Sequence, residues 1–165
     1  MGMAFAASER RLKNGGRHPT IGTTRLAGWK TMTDKKILLV DDEVDVLRVF
    51  ARALGKIGYT VYTAVRGSAA LEILRNETIQ VMFFDLNMPE MNGLELCRRV
   101  RKEFPTAVIH AVTGYAPLFE LAACREAGFD HYYTKPVELD MLIAAAESAF
   151  EKMERGRSSK PSTIA

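Results

Sequence analysis

The sequence has few residues of the kinds that build disulfide frameworks, zinc sites and membrane spans. Its 165 residues include two cysteines, Cys97 and Cys124, which belong to no Cys-x-x-Cys pair. Both lie within helical patterns, so we expect each to be buried as a small apolar residue. No apolar run approaches the ~18 residues of a membrane-spanning helix. The sequence therefore predicts neither a disulfide scaffold, a zinc site nor a membrane segment.

Histidines and targeting signals are also sparse. The three histidines, His18, His110 and His131, are dispersed, and we interpret all three as non-catalytic. The amino-terminal stretch carries its apolar part ahead of its charges, the reverse of a secretory signal. It also lacks the Ser or Thr at position 6 that a myristoylation signal needs. We therefore expect a cytoplasmic protein.

Charge is divided unevenly along the chain. Residues 1–36 hold eight lysines and arginines against two acidic residues, a net charge of +6, whereas the remainder carries −3. Residues 1–34 show no hydrophobic period, which predicts a basic, disordered extension. One folded domain is expected over residues 35–154, followed by a flexible polar tail at 155–165.

Apolar strand patterns alternate with amphipathic helical patterns through that domain. The last helical pattern is the clearest, with apolar residues at i, i+3, i+4 and i+7 from Leu139 onward. Such alternation predicts an α/β fold, a doubly wound parallel sheet of five strands with five helices, in the flavodoxin-like order 2-1-3-4-5. The predicted strands are residues 37–40, 59–65, 81–84, 107–112 and 131–134.

Polar residues follow the predicted strands where each one ends. Asp41 and Asp42 follow the first strand and Asp85 the third, while Thr113 and Lys135 follow the fourth and fifth. An isolated acid here would more often cap a helix. In the order 2-1-3-4-5, however, the first and third strands are neighbours, so three carboxylates meet in one crevice. Crowded carboxylates need a cation, and an all-oxygen ligand set favours Mg²⁺.

The same crevice predicts phosphoryl chemistry. A carboxylate that meets a metal ion, an ammonium and a hydroxyl is arranged to attack phosphorus, because the positive charges neutralise the equatorial oxygens. The product of such an attack would be an aspartyl phosphate.

Four separated motifs, LLVDDE, FFDLNMPEMNG, VTGY and YYTKP, resemble the receiver domain of two-component response regulators over residues 37–153. The resemblance implies that Asp85 is the phosphoryl acceptor and that Lys135 pairs with the phosphoryl group. It implies a Mg²⁺ site formed by Asp42, Asp85 and the backbone carbonyl of Asn87, with Asp41 acting through a water molecule.

The resemblance also implies a switch and a means of tuning it. Thr113 would be the switch hydroxyl and Tyr132 the switch aromatic, although the neighbouring Tyr133 is another candidate. Asn87 and Tyr115 would flank the path of the water that removes the phosphate, which predicts moderately slow self-hydrolysis.

The resemblance has further implications for the loop, the partners and the organisation of the chain. Gly114 would be the small residue beside the phosphoryl group, and the Lys135–Pro136 peptide bond is expected to be cis. The donor would be a histidine kinase or a histidine phosphotransfer protein. The downstream protein target would bind the face formed by the fourth helix, fifth strand and fifth helix. The chain would then be a stand-alone receiver, or one severed from a larger protein, and not an enzyme acting on external substrates.

Two other functions compete with this interpretation. A phosphohydrolase of the haloacid-dehalogenase type also uses an Asp at a strand end, but it typically carries a second Asp two residues later, where this chain has Asn87. A DNA-binding regulator needs a recognition module, and the stretch after Met153 is too short for a helix-turn-helix domain. The basic residues of the extension lack interleaved aromatic residues, so we do not expect nucleic acid as a partner.

Overall fold

The computed structural model describes residues 35–114 and 118–158, and all five predicted strands and five predicted helices form there. Residues 1–34, 115–117 and 159–165 lie outside the described part, so the predictions made for residues 1–34, Tyr115 and the end of the tail stay predictions. Within the described ranges, no helix has the length and apolar content to cross a bilayer. The strands are β1 (Lys36–Val40), β2 (Thr60–Ala64), β3 (Val81–Asp85), β4 (Val108–Thr113) and β5 (His131–Thr134). The helices are α1 (Val44–Lys56), α2 (Gly67–Asn76), α3 (Gly93–Glu103), α4 (Leu118–Ala127) and α5 (Leu139–Ser158).

The five strands are parallel and run in the order β2-β1-β3-β4-β5, which confirms the predicted fold. The register of the central pair places Val40 of β1 opposite Phe84 of β3. Asp41 and Asp85, the residues that follow these two, therefore leave the sheet side by side. The register between β1 and β3 thus brings together acids that are far apart in the chain.

Strand β3 is the centre of the core, because each of its residues is buried and successive side chains point to opposite faces of the sheet. Met82 and Phe84 pack on the face covered by α2, α3 and α4. Val81 and Phe83 pack on the face covered by α1 and α5. Burial of one such side chain contributes roughly 1.5–3 kcal/mol, so both faces hold β3 in place. Its last residue is correspondingly fixed.

The two cysteines are buried, as predicted. Cys97 lies on α3 and Cys124 on α4, and both belong to the hydrophobic cluster on the face of the sheet covered by α2, α3 and α4. Burial is the main cause that raises the pKa of the Cys97 thiol to about 12. That thiol is therefore protonated at neutral pH and acts as a small apolar side chain.

Helix α5 is longer than its apolar pattern. The pattern ends at Met153, but the helix continues to Ser158, into the stretch that we predicted to be a polar tail. An i,i+4 ion pair supports the added turn, with Arg155 Nη2 lying 3.6 Å from Glu151 Oε2. The hydrophobic period marks only the part of a helix that packs, so it underestimated the length here.

Candidate functional site

Asp85 is held at the carboxyl end of β3 with a defined orientation. It is only 4% exposed, and the N–H of Asn87 donates a hydrogen bond of 3.1 Å to its Oδ1. Two backbone hydrogen bonds of Leu86 fix the loop that follows. Its N–H donates to the Val112 carbonyl, and its carbonyl accepts from the Gly93 N–H. Oδ1 is thereby engaged by the loop, and Oδ2 is left to face the other strand ends.

Gly93 lets this loop close against the strand. A Cβ atom at this position would collide with the backbone carbonyl oxygen of Asp85 and press on Leu86. Next to it, the Asn92 side chain accepts a hydrogen bond of 2.9 Å from the Glu95 N–H and so caps α3. The FFDLNMPEMNG motif therefore contains two residues that shape the loop as well as the acid it presents.

Asp41 and Asp42 complete a cluster of three acids. Asp41 is 6% exposed, and its Oδ1 accepts a hydrogen bond of 2.9 Å from the Glu43 N–H, whereas Asp42 is exposed. One carboxylate oxygen from each of Asp41, Asp42 and Asp85 can be chosen so that all three lie within 4.8 Å of one another. The predicted convergence of the three carboxylates is confirmed. An all-oxygen set of this kind suits a hard divalent cation such as Mg²⁺.

Lys135 reaches this cluster from β5. Its Nζ lies 2.8 Å from Asp41 Oδ2, 3.0 Å from Asp85 Oδ2 and 3.1 Å from Glu43 Oε1. The peptide bond to Pro136 is cis, as the resemblance implied, and the Lys135 N–H donates a 2.7 Å hydrogen bond to the Thr113 carbonyl. The backbone of Lys135 is thus joined to β4 while its ammonium bridges acids of β1 and β3.

Glu43 is the site residue that the sequence did not single out. It belongs to the LLVDDE motif, yet only its two aspartates had been assigned a role. Its side chain makes no hydrogen bond to the start of α1 and pairs with Lys135 instead. Four carboxylates, those of Asp41, Asp42, Glu43 and Asp85, thus lie at the site with one ammonium.

The electrostatics of the cluster keep its ammonium charged. Burial acts to lower the pKa of Lys135, but its hydrogen bonds to Asp41 and Asp85 outweigh that cost and raise its pKa above the usual value. Burial also raises the pKa of Asp41, against the opposing effects of the bonds from Lys135 and from the Glu43 N–H. The excess of negative charge is what a divalent cation would relieve.

The two residues predicted to form a switch occupy different environments. Thr113 ends β4 and is 1% exposed, while Tyr132 on β5 is 42% exposed. Tyr133, the other candidate, packs against the hydrophobic cluster between the sheet and helices α1 and α5. Of the two tyrosines, Tyr132 is the one whose ring has most surface to lose by turning inward. Its role as a switch stays a prediction.

The structure describes one of the two residues predicted to tune dephosphorylation. Asn87 is exposed beside Asp85, where its backbone N–H already binds the acid. Tyr115 lies outside the described residues. Among the described residues, and leaving out the chain neighbours of Gly114, no atom lies within 4 Å of the place where a Cβ on Gly114 would be.

Comparison with known proteins gives a consistent result. A family model described as the response regulator receiver domain matches residues 37–147. Among curated relatives, the sensor histidine kinase RcsC of Escherichia coli K12 is 36% identical over 126 residues, 76% of this chain but 13% of that protein. The transcriptional regulatory protein GlrR of the same organism is 32% identical over 116 residues, 70% of this chain and 26% of that protein. The chain therefore spans 13% and 26% of the length of these two relatives.

Solved structures are matched over nearly their whole length. A CheY-like response regulator receiver domain protein from Methanospirillum hungatei JF-1 is 34% identical with a TM-score of 0.68, over 73% of this chain and 98% of that one. The chemotaxis protein CheY4 of Vibrio cholerae is 26% identical with a TM-score of 0.68, over 72% of this chain and 99% of that one.

Proposed function

The chain belongs to the response regulator receiver domain family, and from this premise we propose that Asp85 is its phosphoryl acceptor. Receiver domains of two-component signalling are phosphorylated on an aspartate and act as switches. The observation that carries the assignment is the position of Lys135, whose ammonium lies 3.0 Å from Asp85 Oδ2 at the end of the central strand. Asp41 also lies at a buried strand end, in the acid cluster and beside this lysine, but Asp85 is the acid that ends the central strand β3.

The chemical step is a transfer between two nucleophiles. An oxygen of the Asp85 carboxylate attacks the phosphorus of the donor and forms a new P–O bond. The P–N bond of a phosphohistidine, or the P–O bond of an acyl phosphate, breaks, and the leaving group keeps the electron pair. Charge builds up on the equatorial oxygens during this step, and the Lys135 ammonium stabilises it.

Asp41, Asp42 and Asp85, with the backbone carbonyl of Asn87, are the groups proposed to hold Mg²⁺. Asp41 would act through a water molecule. The convergence of three carboxylates supports this proposal, because one ammonium does not balance them. When bound, the ion supplies positive charge that neutralises the phosphoryl oxygens. Lys135 then has a second task, since it pairs with the acid before transfer and with the phosphoryl group after it.

The signal would leave the site through Thr113 and Tyr132. The new phosphoryl group draws the Thr113 hydroxyl toward it, and the Tyr132 ring moves into the vacated space. The face formed by α4, β5 and α5 then changes shape and binds a downstream protein, a two-state change biased by a local charge. A histidine kinase or histidine phosphotransfer protein is the proposed donor, in keeping with the match to a protein named a sensor histidine kinase.

The direct test is the intact mass of the full chain after incubation with Mg²⁺ and acetyl phosphate. We expect a gain of one phosphoryl group that disappears in Asp85→Asn and with a chelator. Asp45→Asn, an exposed acid paired with Arg48 on α1, is the matched control and should be phosphorylated normally. Equal phosphorylation of Asp85→Asn would contradict the assignment. So would a chain that takes no phosphate from acetyl phosphate or from a phosphorylated histidine phosphotransfer domain.

A further inference from the structure

A cavity of about 350 Å³ lies between the β4–β5 edge of the sheet and helix α5. Its walls are apolar and partly formed by small residues, with Tyr133 on the strand side and Ala144, Ala145 and Met141 on the helix side. The cavity is open to the surface. It is separate from the acid cluster, because the nearer of its two residues on β4, His110, precedes Thr113 by three positions, or about 10 Å along the strand, and the other, Val108, lies farther away.

His110 gives this cavity an unusual polar lining. The residue is 1% exposed, and neither ring nitrogen has a hydrogen-bond partner within the described part of the chain. Its ring is stacked between Phe83, with centroids 4.6 Å apart, and His131, with centroids 5.4 Å apart. A buried polar group without a partner costs about 1–3 kcal/mol. A ligand group that can bond to the imidazole would recover part of that cost.

The protonation state of His110 defines what such a group must be. Burial, with a smaller contribution from His131, lowers the pKa of His110 to about 4. At neutral pH its imidazole is uncharged and offers one N–H donor and one acceptor nitrogen. A hydroxyl group, which both donates and accepts, is a suitable partner in either tautomer.

The remaining polar groups of the lining are donors. Ser148, His131 and Lys152 each offer at least one N–H or O–H, and no carboxylate is among the described residues that line the cavity. In the portion of the chain that the structure describes, Lys152 is exposed and has no ion pair. The lining therefore favours a negatively charged ligand over a cationic one.

We propose that this cavity binds a small planar aromatic carboxylate that carries a ring hydroxyl group. The ring lies between Tyr133 and the alanine face of α5. The hydroxyl bonds to His110, and the carboxylate pairs with Lys152. Binding here does not require the phosphorylation proposed for Asp85, although β5 and α5 belong to the face proposed to change shape with it.

The test uses one probe that carries both the hydroxyl and the carboxylate, and two probes that each lack one of these groups. 6-Hydroxy-2-naphthoate carries both groups, 2-naphthoate lacks the hydroxyl, and 2-naphthol lacks the carboxylate. Binding is measured by titrating the full chain and monitoring the heat released and the amide NMR shifts. We expect saturable binding of 6-hydroxy-2-naphthoate with a Kd below about 1 mM. Both other probes should bind more weakly, and Asp85→Asn should bind all three as the parent chain does.

Three substitutions and one control substitution assign the contacts. Lys152→Gln should weaken the binding of 6-hydroxy-2-naphthoate about fivefold without affecting the binding of 2-naphthol. Lys102→Gln, an equal charge change on α3, is the control and should weaken the binding of neither probe. His110→Phe keeps the stacked ring and should abolish the preference for the hydroxylated carboxylate over 2-naphthoate. Ala144→Phe fills the cavity from an exposed position and should prevent binding of every probe.

Several results would overturn the proposal. Absence of saturable binding of 6-hydroxy-2-naphthoate to the folded parent chain is one. Binding that persists in Ala144→Phe would place the probe elsewhere on the molecule. If Lys152→Gln lowered the affinity for 2-naphthol as much as the affinity for 6-hydroxy-2-naphthoate, the lysine would not recognise the carboxylate.

Discussion

The Nζ atom of Lys135 lies 3.1 Å from Oε1 of Glu43, a residue 92 positions earlier in the chain. Glu43 is the last residue before α1, and its side chain is largely exposed. The same ammonium contacts Asp85, so Glu43 adds a negative charge beside the proposed acceptor. It also competes for the lysine that the incoming phosphoryl group needs.

Glu43→Gln should therefore accelerate phosphorylation by an anionic donor. Because exposed ion pairs are worth up to about 1 kcal/mol, we expect a twofold to fivefold increase in rate with acetyl phosphate, and a weaker dependence of that rate on salt. Intact mass at timed intervals measures the rate. Asp45→Asn makes the same charge change on α1, and an equal acceleration there would mean that net charge, and not the Lys135 contact, is responsible.

Thr113→Ala should separate phosphorylation from its readout. The variant keeps Asp85 and Lys135, so we expect it to accept phosphate. Without the hydroxyl, however, the exposed Tyr132 ring should no longer change its environment. Side-chain NMR of Tyr132, recorded with Tyr133 replaced by Phe to remove its signal, follows the ring. Thr113→Ser should restore the response, and a full Tyr132 shift in phosphorylated Thr113→Ala would disprove the coupling.

Gly93→Ala should damage both stability and the site. Its Cβ would collide with the backbone of Asp85 and Leu86, so we expect a loss of about 1–3 kcal/mol in the free energy of unfolding. Phosphorylation should slow because the acid is displaced. Gly55→Ala on α1 meets no atom within 4 Å and should instead stabilise the protein by about 0.5–1 kcal/mol. Urea unfolding compares the two, and equal stabilities would contradict the close approach at Gly93.

Buried His110 should make the fold sensitive to mild acid. Its pKa is lowered from about 6.5 to about 4 in the folded state, so the unfolded chain binds the proton more readily. Stability is fully present above pH 6.5 and is lost as the pH falls toward 4, by about 2 kcal/mol at pH 5. His110→Phe keeps the ring packing on Phe83 and removes the titration. Urea unfolding at pH 7.5 and pH 5 should therefore show a smaller acid loss in His110→Phe, and identical losses would refute the assignment.

Some of the site was readable from local sequence. Asp85 directly follows four apolar residues, and that arrangement alone places it where a buried strand leaves the core. Asp41 and Lys135 are likewise set by the strands they follow. Given the strand order, their meeting required no knowledge of side-chain packing, because parallel strands bring their carboxyl ends to one edge of the sheet.

Other contacts could not be read in this way. Glu43 and Lys135 both stand in matched motifs, but whether their side chains touch depends on the rotamers of two long chains on different elements. His110 reads as an ordinary strand residue, and only the packing of Phe83, His131 and α5 around it leaves its nitrogens without partners. The added turn of α5 has no apolar residue to reveal it.

The sequence by itself determined the order of elements, the parallel sheet and the strand ends that carry acids, because hydrophobic periodicity and strand-end polarity are local properties. The tertiary structure alone decided that Lys135 is shared with Glu43, that Gly93 lies against the backbone of Asp85, and that His110 lines a cavity. These depend on distances between side chains from different elements. Such distances are set by how the two faces of the sheet pack, which no single stretch of sequence encodes.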